Sequence, residues 1–352
     1  MARSQTRRSV IGLDIEPGYL AAARVSVNGH MAIEHAATAP LDPGVMRDGE
    51  VADVEGLGEA LKTFFHEHKL PRRVRLGVAN QRIVVRNLEL PDLSNPKELE
   101  AAVRFQAQEH LPMQLDLAVL DYQSLGVVQT DNGERQRVVL VAARRDMIDR
   151  LLEAARHAGL RPEGIDLSAF AMIRSLARPA VDGQGALLYV SVGGLTNLAI
   201  AEGSQCRFTR VAAGGLESVV NQLAERRALT RDHARQWLGH VGLQEPVEEV
   251  DGDPEIVADA RTVLADGVRR IADDVRNSLD YYRAQEGVAP VDGAVLTGPA
   301  LAVPGFVEQL AADLNMPVEA GVVDEARPGV LAATGAGSMA IAAGLAIEER
   351  PA

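Results

Sequence analysis

Two short stretches constrain this chain more than any other part of its sequence, because each turns an apolar strand back on itself. In the second half, Leu187-Leu188-Tyr189-Val190-Ser191-Val192 runs into Gly193-Gly194-Leu195 and returns as Thr196-Asn197-Leu198-Ala199-Ile200. Apolar runs on both sides of a Gly-Gly turn predict a β-hairpin. Phe208-Thr209-Arg210 follows, and Ala213-Gly214-Gly215 then opens a helix. Near the N-terminus, Val10-Ile11-Gly12-Leu13-Asp14 enters a turn at Glu16-Pro17-Gly18, and Tyr19 to Val27 leaves it. Two hairpins heading two halves of one chain predict a duplicated α/β fold around a cleft. Turn amides aimed the same way form an anion cradle, whose usual guest is phosphate.

Length and charge narrow the rest. A chain of 352 residues suffices for two or more domain-sized units with a real core. A formal net charge of −13 argues against nucleic acid, because phosphate binding needs clustered Lys and Arg. Arg3, Arg7 and Arg8 form the one basic cluster at a terminus and read as a solubilising arm. The single cysteine, Cys206, excludes an intramolecular disulfide framework and fits a reducing cytoplasm. No apolar run approaches the roughly 20 residues of a membrane helix, and no signal peptide opens the chain. Membrane attachment is therefore expected through a partner.

Periodicity orders the elements. Strands are expected at Val10–Asp14, Leu20–Val27 and Met31–Thr38, then a helix near Val54–His68 with Leu57, Leu61, Phe64 and Phe65 on one face. Strands follow at Val74–Val78 and Ile83–Leu90. Asn95-Pro96-Lys97-Glu98 has the form of a helix start, with Asn95 as cap and Pro96 in the first turn. Strands near Val119–Val127 and Val138–Ala143 precede a helix over Asp146–His157, closed by Gly159. Residues 91–165 read as a compact inserted unit, and Pro179–Gly185 as the boundary between the halves. Beyond the second hairpin come a helix over Leu216–Arg227, an acidic loop over 245–254 and a long helix near Glu255–Gln285. The stripe Leu264, Val268, Ile271, Val275, Leu279, Tyr282 marks that helix's packed face. Val295-Leu296-Thr297-Gly298 is a buried strand entering a turn. Helices over Pro304–Leu314 and, Ala-rich, over Val330–Ile347 complete the chain.

Catalytic motifs are missing. His66 and His68 lie about 200° apart on their helix and cannot share an ion. The sequence holds no G-x-S-x-G, H-E-x-x-H, paired-cysteine or G-x-x-x-x-G-K-[ST] motif, so a P-loop NTPase is excluded. Gly335-Ala336-Gly337-Ser338-Met339-Ala340 imitates a dinucleotide fingerprint without the preceding strand or the later acid. Helix packing through small residues is the better reading there.

The remaining motifs resemble a known family. They are Gly12-Leu13-Asp14-Ile15, Leu90-Pro91, Lys97 to Arg104, Glu109-His110-Leu111-Pro112, Leu120-Asp121-Tyr122, Val141 to Arg145, Leu151 to Ala155 and Gly159-Leu160. In the second half they are Phe208-Thr209-Arg210, Gly214-Gly215, Ser278 to Tyr282 and Leu296-Thr297-Gly298. Over nearly its whole length the chain resembles the PilM proteins of type IV pilus assembly, relatives of FtsA in the actin-like ATPase superfamily. The resemblance implies an actin-like fold of two α/β halves with an inserted subdomain in the first. Residues 1–90, completed by 166–185, would form the first subdomain and 91–165 the insertion. Residues 186–228 and 288–352 would form the second core, and 229–287 a helical subdomain. Nucleotide positions would fall at Asp14, Gly193, Gly194, Thr196, Gly214, Gly215, Thr297 and Gly298.

At those positions the chain departs from the family. The family's first hairpin reads Asp-Ile-Gly-Ser-Ser-Ser-x-Lys, whereas this chain has Asp14-Ile15-Glu16-Pro17-Gly18-Tyr19-Leu20-Ala21. Pro17 lacks an amide donor, and Glu16 brings negative charge to the phosphate position. At about 4 Å and an effective dielectric near 20, that repulsion is roughly 4 kcal/mol. Ser191 replaces the superfamily's magnesium-handling aspartate, and Thr297-Gly298-Pro299-Ala300 replaces the Ser-Gly-Gly-Gly adenosine turn. The expectation is a pseudo-ATPase with no catalytic residue, no metal site and no required cofactor, and with weak ATP and Mg2+ binding at most. The implied role is a cytoplasmic scaffold, peripheral at the inner face of the cytoplasmic membrane, that grips the N-terminal tail of a PilN-like membrane protein. Other platform proteins and self-association follow as further expected contacts. The competing readings are an active sugar-kinase-like phosphotransferase, an FtsA-like filament protein and a GspL-type secretion protein. Residues Leu345–Ala352 offer no amphipathic membrane helix of the FtsA kind, and a GspL-type spanning helix is absent. The tail's expected groove lies between the insertion and the first subdomain. Leu76–Ala79 or Val138–Val141 would supply a strand edge unless both are already paired.

Overall fold

A computed structural model describes residues 10–28, 30–93, 95–130, 133–177 and 185–347. The basic arm at Arg3, Arg7 and Arg8, most of the Pro179–Gly185 boundary and the tail beyond Ile347 lie outside the described residues. Strands β1 (Ile11–Glu16) and β2 (Tyr19–Asn28) form the first expected hairpin, with Glu16 opposite Tyr19 across Pro17-Gly18. Gly18 takes φ 92°, a conformation that glycine enters without penalty. Strand β3 (His30–Pro40) follows, then a small ribbon, β4 (Met46–Arg47) and β5 (Glu50–Val51). Helix α1 (Val54–Glu67) starts where the Asp53 carboxylate accepts from the Gly56 amide at 3.0 Å. It buries Leu57, Leu61, Phe64 and Phe65, the face set by their spacing. Strand β6 (Arg73–Val78) runs parallel to β1.

Strand β7 (Val84–Pro91), helix α2 (Pro96–His110), β8 (Ala118–Thr130) and β9 (Gly133–Arg144) make a separate unit. Its antiparallel sheet has the order β7-β9-β8, and α2 covers it through Leu99, Val103 and Ala107. Asn95 caps α2 as expected, accepting from the Lys97 amide at 3.1 Å. Helix α3 (Arg145–His157) and strand β10 (Arg161–Leu167) return to the first body. Leu151, Ala154 and Ala155 of α3 join the core around α1, and β10 completes the sheet β10-β6-β1-β2-β3. The inserted unit as packed is therefore 84–144 rather than 91–165. Its first strand pairs with β9, and the apolar face of α3 has its partners in the first core.

Helix α4 (Ser168–Leu176) leads into the second sheet, β13-β12-β11-β14-β15. These strands are β11 (Ala186–Val192), β12 (Thr196–Glu202), β13 (Gln205–Ala212), β14 (Val291–Thr297) and β15 (Val318–Ala320). Helices α5 (Leu216–Arg227), α6 (Arg231–Val241), α7 (Pro254–Arg283) and α8 (Phe306–Leu314) complete this half. Helix α6, absent from the sequence reading, starts at a Thr230 cap. Residues 229–287 have no core of their own: Leu238, Leu264, Ile271 and Val275 share one cluster with Leu188, Val190 and Leu198 of the sheet.

The expected helix over Val330–Ile347 shortens to α9 (Ala340–Ala346), preceded by a 3₁₀ turn over Ala336–Met339. Gly335 takes φ 73°, and a Cβ on Gly337 would sit 2.6 Å from the Gly298 carbonyl, so the segment bends against that turn. Helix α9 then crosses to the first half. A Cβ at Gly12 would stand 1.9 Å from the Ala342 carbonyl, and one at Gly344 the same distance from the Ala171 carbonyl. Arg75 donates to the Leu345 and Ile347 carbonyls and Arg174 to the Gly344 carbonyl, satisfying groups left open at the helix end. Gly12→Ala is expected to destabilise the protein by about 1–3 kcal/mol through overpacking. Gly239→Ala, inside α6 with open space around it, is expected to stabilise by up to about 1 kcal/mol. Denaturant unfolding of the two variants checks both values.

Candidate functional site: the junction of the two hairpins

Asp14 and Glu16 stand two residues apart on β1 and so face the same side. Tyr19, opposite Glu16 across the turn, joins them. Glu16 is only 1% exposed. Its Oε2 accepts from the Gly194 amide at 2.8 Å and from the Leu195 amide at 3.3 Å. The anion cradle of the second hairpin thus holds a carboxylate of the chain itself. Gly193 and Gly194 make this approach possible. A Cβ on Gly193 would lie 2.6 Å from both the Glu16 Oε2 and the Tyr19 hydroxyl, and one on Gly194 2.1 Å from the Pro17 carbonyl oxygen.

The other expected positions surround this contact. Thr196 Oγ1 donates to the Gly214 carbonyl at 2.8 Å, and a Cβ on Gly215 would stand 2.4 Å from the Gly193 carbonyl. Thr297 Oγ1 lies 2.8 Å from the Gly321 carbonyl and 3.0 Å from that of Gly337, sharing one proton between them. Gly298, at φ 92°, donates its amide to Gly337 at 3.0 Å, and its Cα faces the Ser191 hydroxyl. Asp14 accepts from the Ser168 hydroxyl at the start of α4, and its Oδ2 has no partner. Gly193, Gly194, Thr196, Gly214 and Gly215 cluster at the second hairpin and Asp14 lies on β1 beside Glu16, while Thr297 and Gly298 form the turn after β14, next to Ser191 and Val192. The sequence reading missed Tyr19, Ser168 and Glu217 as members. Glu217, in the first turn of α5, meets Gly18 and pairs with Arg231 and, at 2.7 Å, with Arg235. An acid just after Gly214-Gly215 was the available signal.

Burial dominates the electrostatics. Desolvation lifts the Glu16 carboxyl to about 7, against the opposing pull of the Leu195 and Gly194 amides. Desolvation, then the Glu16 charge, raises Asp14 well above the usual carboxylate range. Burial likewise raises the Tyr19 phenol, and it pushes the Cys206 thiol up to about 12, far from a reactive thiolate. Among the described residues no group of His, Cys, Asp and Glu is placed to hold a metal ion. A triphosphate at this junction would have to displace Glu16 from the amides, so the side chains present do not match a magnesium nucleotide.

A cavity of about 470 Å³ opens beside the junction, lined by Val78–Gln81, Ile83, Val85, Leu167, Ala169, Asn197, Thr209–Ala213 and Asp274. The two strand runs expected to offer free edges do not. Leu76–Val78 lies in β6, between β10 and β1, and Val138–Val141 lies in β9, between β7 and β8. The edge strands that border the cavity are β7, β13 and, at Leu167, β10.

Fold and junction define the chain as one of the actin-like proteins, two α/β halves meeting at paired hairpins. The family model described as type IV pilus assembly protein PilM matches residues 12–350, and the chain belongs to that family. A solved PilM-PilN type IV pilus biogenesis complex is 25% identical with a TM-score of 0.79, covering 97% of this chain and 98% of that one. Ethanolamine utilization protein EutJ from Carboxydothermus hydrogenoformans (12% identity, TM-score 0.53, 98% and 92% covered) shares the fold. So does MreB5 of Spiroplasma citri bound to ADP (12%, TM-score 0.50, 96% and 95% covered). Among the described residues no helix is long and apolar enough to cross a membrane.

A folded-state Glu16 near 7, against 4.5 for the free side chain, means that the native state holds the proton more tightly. Its stabilising effect is complete below about pH 4.5 and is lost as pH rises through about 7. Glu16→Gln keeps an acceptor for both amides and removes the titration. Relative to wild type the variant should gain stability between about pH 5 and about pH 8, on the order of 3 kcal/mol at most. Denaturant unfolding of both proteins across that range measures the difference.

Proposed function

We propose that this chain is a non-catalytic scaffold of a type IV pilus assembly platform at the inner face of the cytoplasmic membrane. On this reading it holds the N-terminal tail of a PilN-like membrane protein, with the tail seated near the joint between the inserted unit and the first body. The observation that carries the non-catalytic part is Glu16 on the Gly194 and Leu195 amides. A nucleotide would meet a buried carboxyl there, no lysine at Ala21 and no aspartate at Ser191. The likeness to the PilM-PilN complex supports the partner. An extended tail can add backbone hydrogen bonds to a strand edge and drop alternate side chains into pockets. Contacts with other platform proteins and self-association belong to the same reading by family resemblance, and no cofactor is required.

The purified protein should show no magnesium-dependent ATP turnover above background, and calorimetry should find no micromolar ATP affinity. Tight ATP binding would overturn the pseudo-ATPase reading. The double variant Glu16→Gly with Ser191→Asp should bind ATP more strongly than either single variant, because both changes act on one site. A PilN-like tail peptide should be retained by the immobilised protein. Absence of binding at ~10–100 μM peptide, weaker than about −5 to −7 kcal/mol, would overturn the scaffold reading.

A further inference from the structure

We infer that the basic face at the start of β1, β6 and β10 is a docking surface for an anionic lipid bilayer. This deepens the scaffold reading above, on which it rests and which puts the chain at a membrane without a lipid contact of its own. The chain is acidic as a whole, with 36 Lys and Arg against 49 Asp and Glu. Yet residues 68–88 hold Lys69, Arg72, Arg73, Arg75, Arg82 and Arg86 and no acid. The fold gathers the first four of these with a second basic segment. Helix α1 returns to β6 through Lys69 and Arg72, and α3 returns to β10 through Arg156 and Arg161. The Arg161 amide donates to the Arg72 carbonyl at 2.7 Å, so the two returns lie side by side. Ile11 pairs with Val74, so β1 begins at the same end, and Arg7-Arg8 precede it in the sequence.

These cations are uncommitted. Lys69, Arg72, Arg156 and Arg161 are exposed and have no ion pair among the described residues. Arg73 holds Glu163, Lys62 and His157 hold Glu59, and Arg75 keeps its charge on the carbonyls of Leu345 and Ile347. Glu67, ending α1, and Glu153, one turn before Arg156, are left to oppose them, and the cations outnumber both. Helix-end arginines in the second half are neutralised instead: at the end of α5, Arg226 and Arg227 pair with Asp259 and Glu255 at 2.8 Å. The carbonyl end of α3 accounts for Arg156, but Arg72 and Arg161 stand at the strand starts. The hollow beside them, about 350 Å³, has Glu59 and Glu67 among Lys62, His66 and Arg72, so it is no closed seat for a single anion. Charge spread over two loops fits an array of mobile headgroups, with each cation worth about fivefold in binding beside an anionic bilayer. Strand β1 extends about 17 Å from Ile11 to Glu16, which leaves the junction and the cavity at the far end, clear of the lipid.

The test sediments the full-length protein, without any partner, with vesicles of phosphatidylcholine alone or mixed equally with phosphatidylglycerol. The protein should sediment with the mixed vesicles and not with the neutral ones. The binding should disappear near ~1 M salt, where the screening length shrinks to about 3 Å. Arg72→Glu with Arg161→Glu should weaken binding at least about 25-fold, two steps of about fivefold, and leave the thermal midpoint unchanged. If that pair proves unstable, Lys69→Gln with Arg156→Gln decides instead and should weaken binding about as much. Wild type that ignores the mixed vesicles, or a folded double variant that binds them as wild type does, overturns the proposal. Retention of poly-glutamate in place of the vesicles assigns the face to an acidic protein and also overturns it. Retention of the PilN-like tail peptide, measured on the same preparations, reports on the scaffold reading separately, so either can fail while the other stands.

Discussion

The two halves of this protein meet through a carboxylate held by two amides, and much of the architecture near the cleft follows from that contact. Burying a carboxyl group is costly unless its lone pairs find donors. The Gly194 and Leu195 amides supply them to Oε2, leaving Oε1 without a partner, and the two amides would be orphaned without Glu16. Each side of the contact needs the other. The surrounding residue choices are consequences: Gly193 gives room to Tyr19 and Glu16, Gly194 to the Pro17 carbonyl, and Gly215 to the Gly193 carbonyl. Where the sequence suggests a phosphate between the hairpins, this chain places a side chain on the amides.

Periodicity and local chemistry made a good part of this legible from the sequence. Both hairpins, the apolar face of α1, the Asn95 start of α2 and the long stripe on α7 all arise from interactions between residues close in the chain. What failed to show was non-local. The residues of β7 read as a strand, but nothing near them says that β9 rather than β6 is their neighbour. The apolar face of α3 is equally plain, yet its partners lie on α1, some ninety positions away. The C-terminal alanines favour helix by propensity, and the contact of Gly337 with Gly298 overrides that preference.

The site shows the same division. The glycines and threonines of the cleft were found because turns and strand ends have local signatures. Their close packing was not visible there. Gly193, Gly194 and Gly215 are required by close approach of backbone or side chains whether or not a nucleotide is present. Ala21 and Ser191, where the resemblance implies a lysine and an aspartate, are both buried. Glu16 was visible as a charge at the phosphate position. Its inward orientation depends on amides 178 positions further along, which no local pattern reports.

Junction and cavity are physically continuous. Ser168 bonds Asp14 at the junction, and the next residue, Ala169, lines the cavity. Thr196 closes the second hairpin onto Gly214, and the next residue on β12 is the unpartnered Asn197. Ser168 opens α4, and Thr196 opens β12, a strand paired on both sides. The Glu16 junction and the cavity wall thus share two short backbone segments, 168–169 and 196–197.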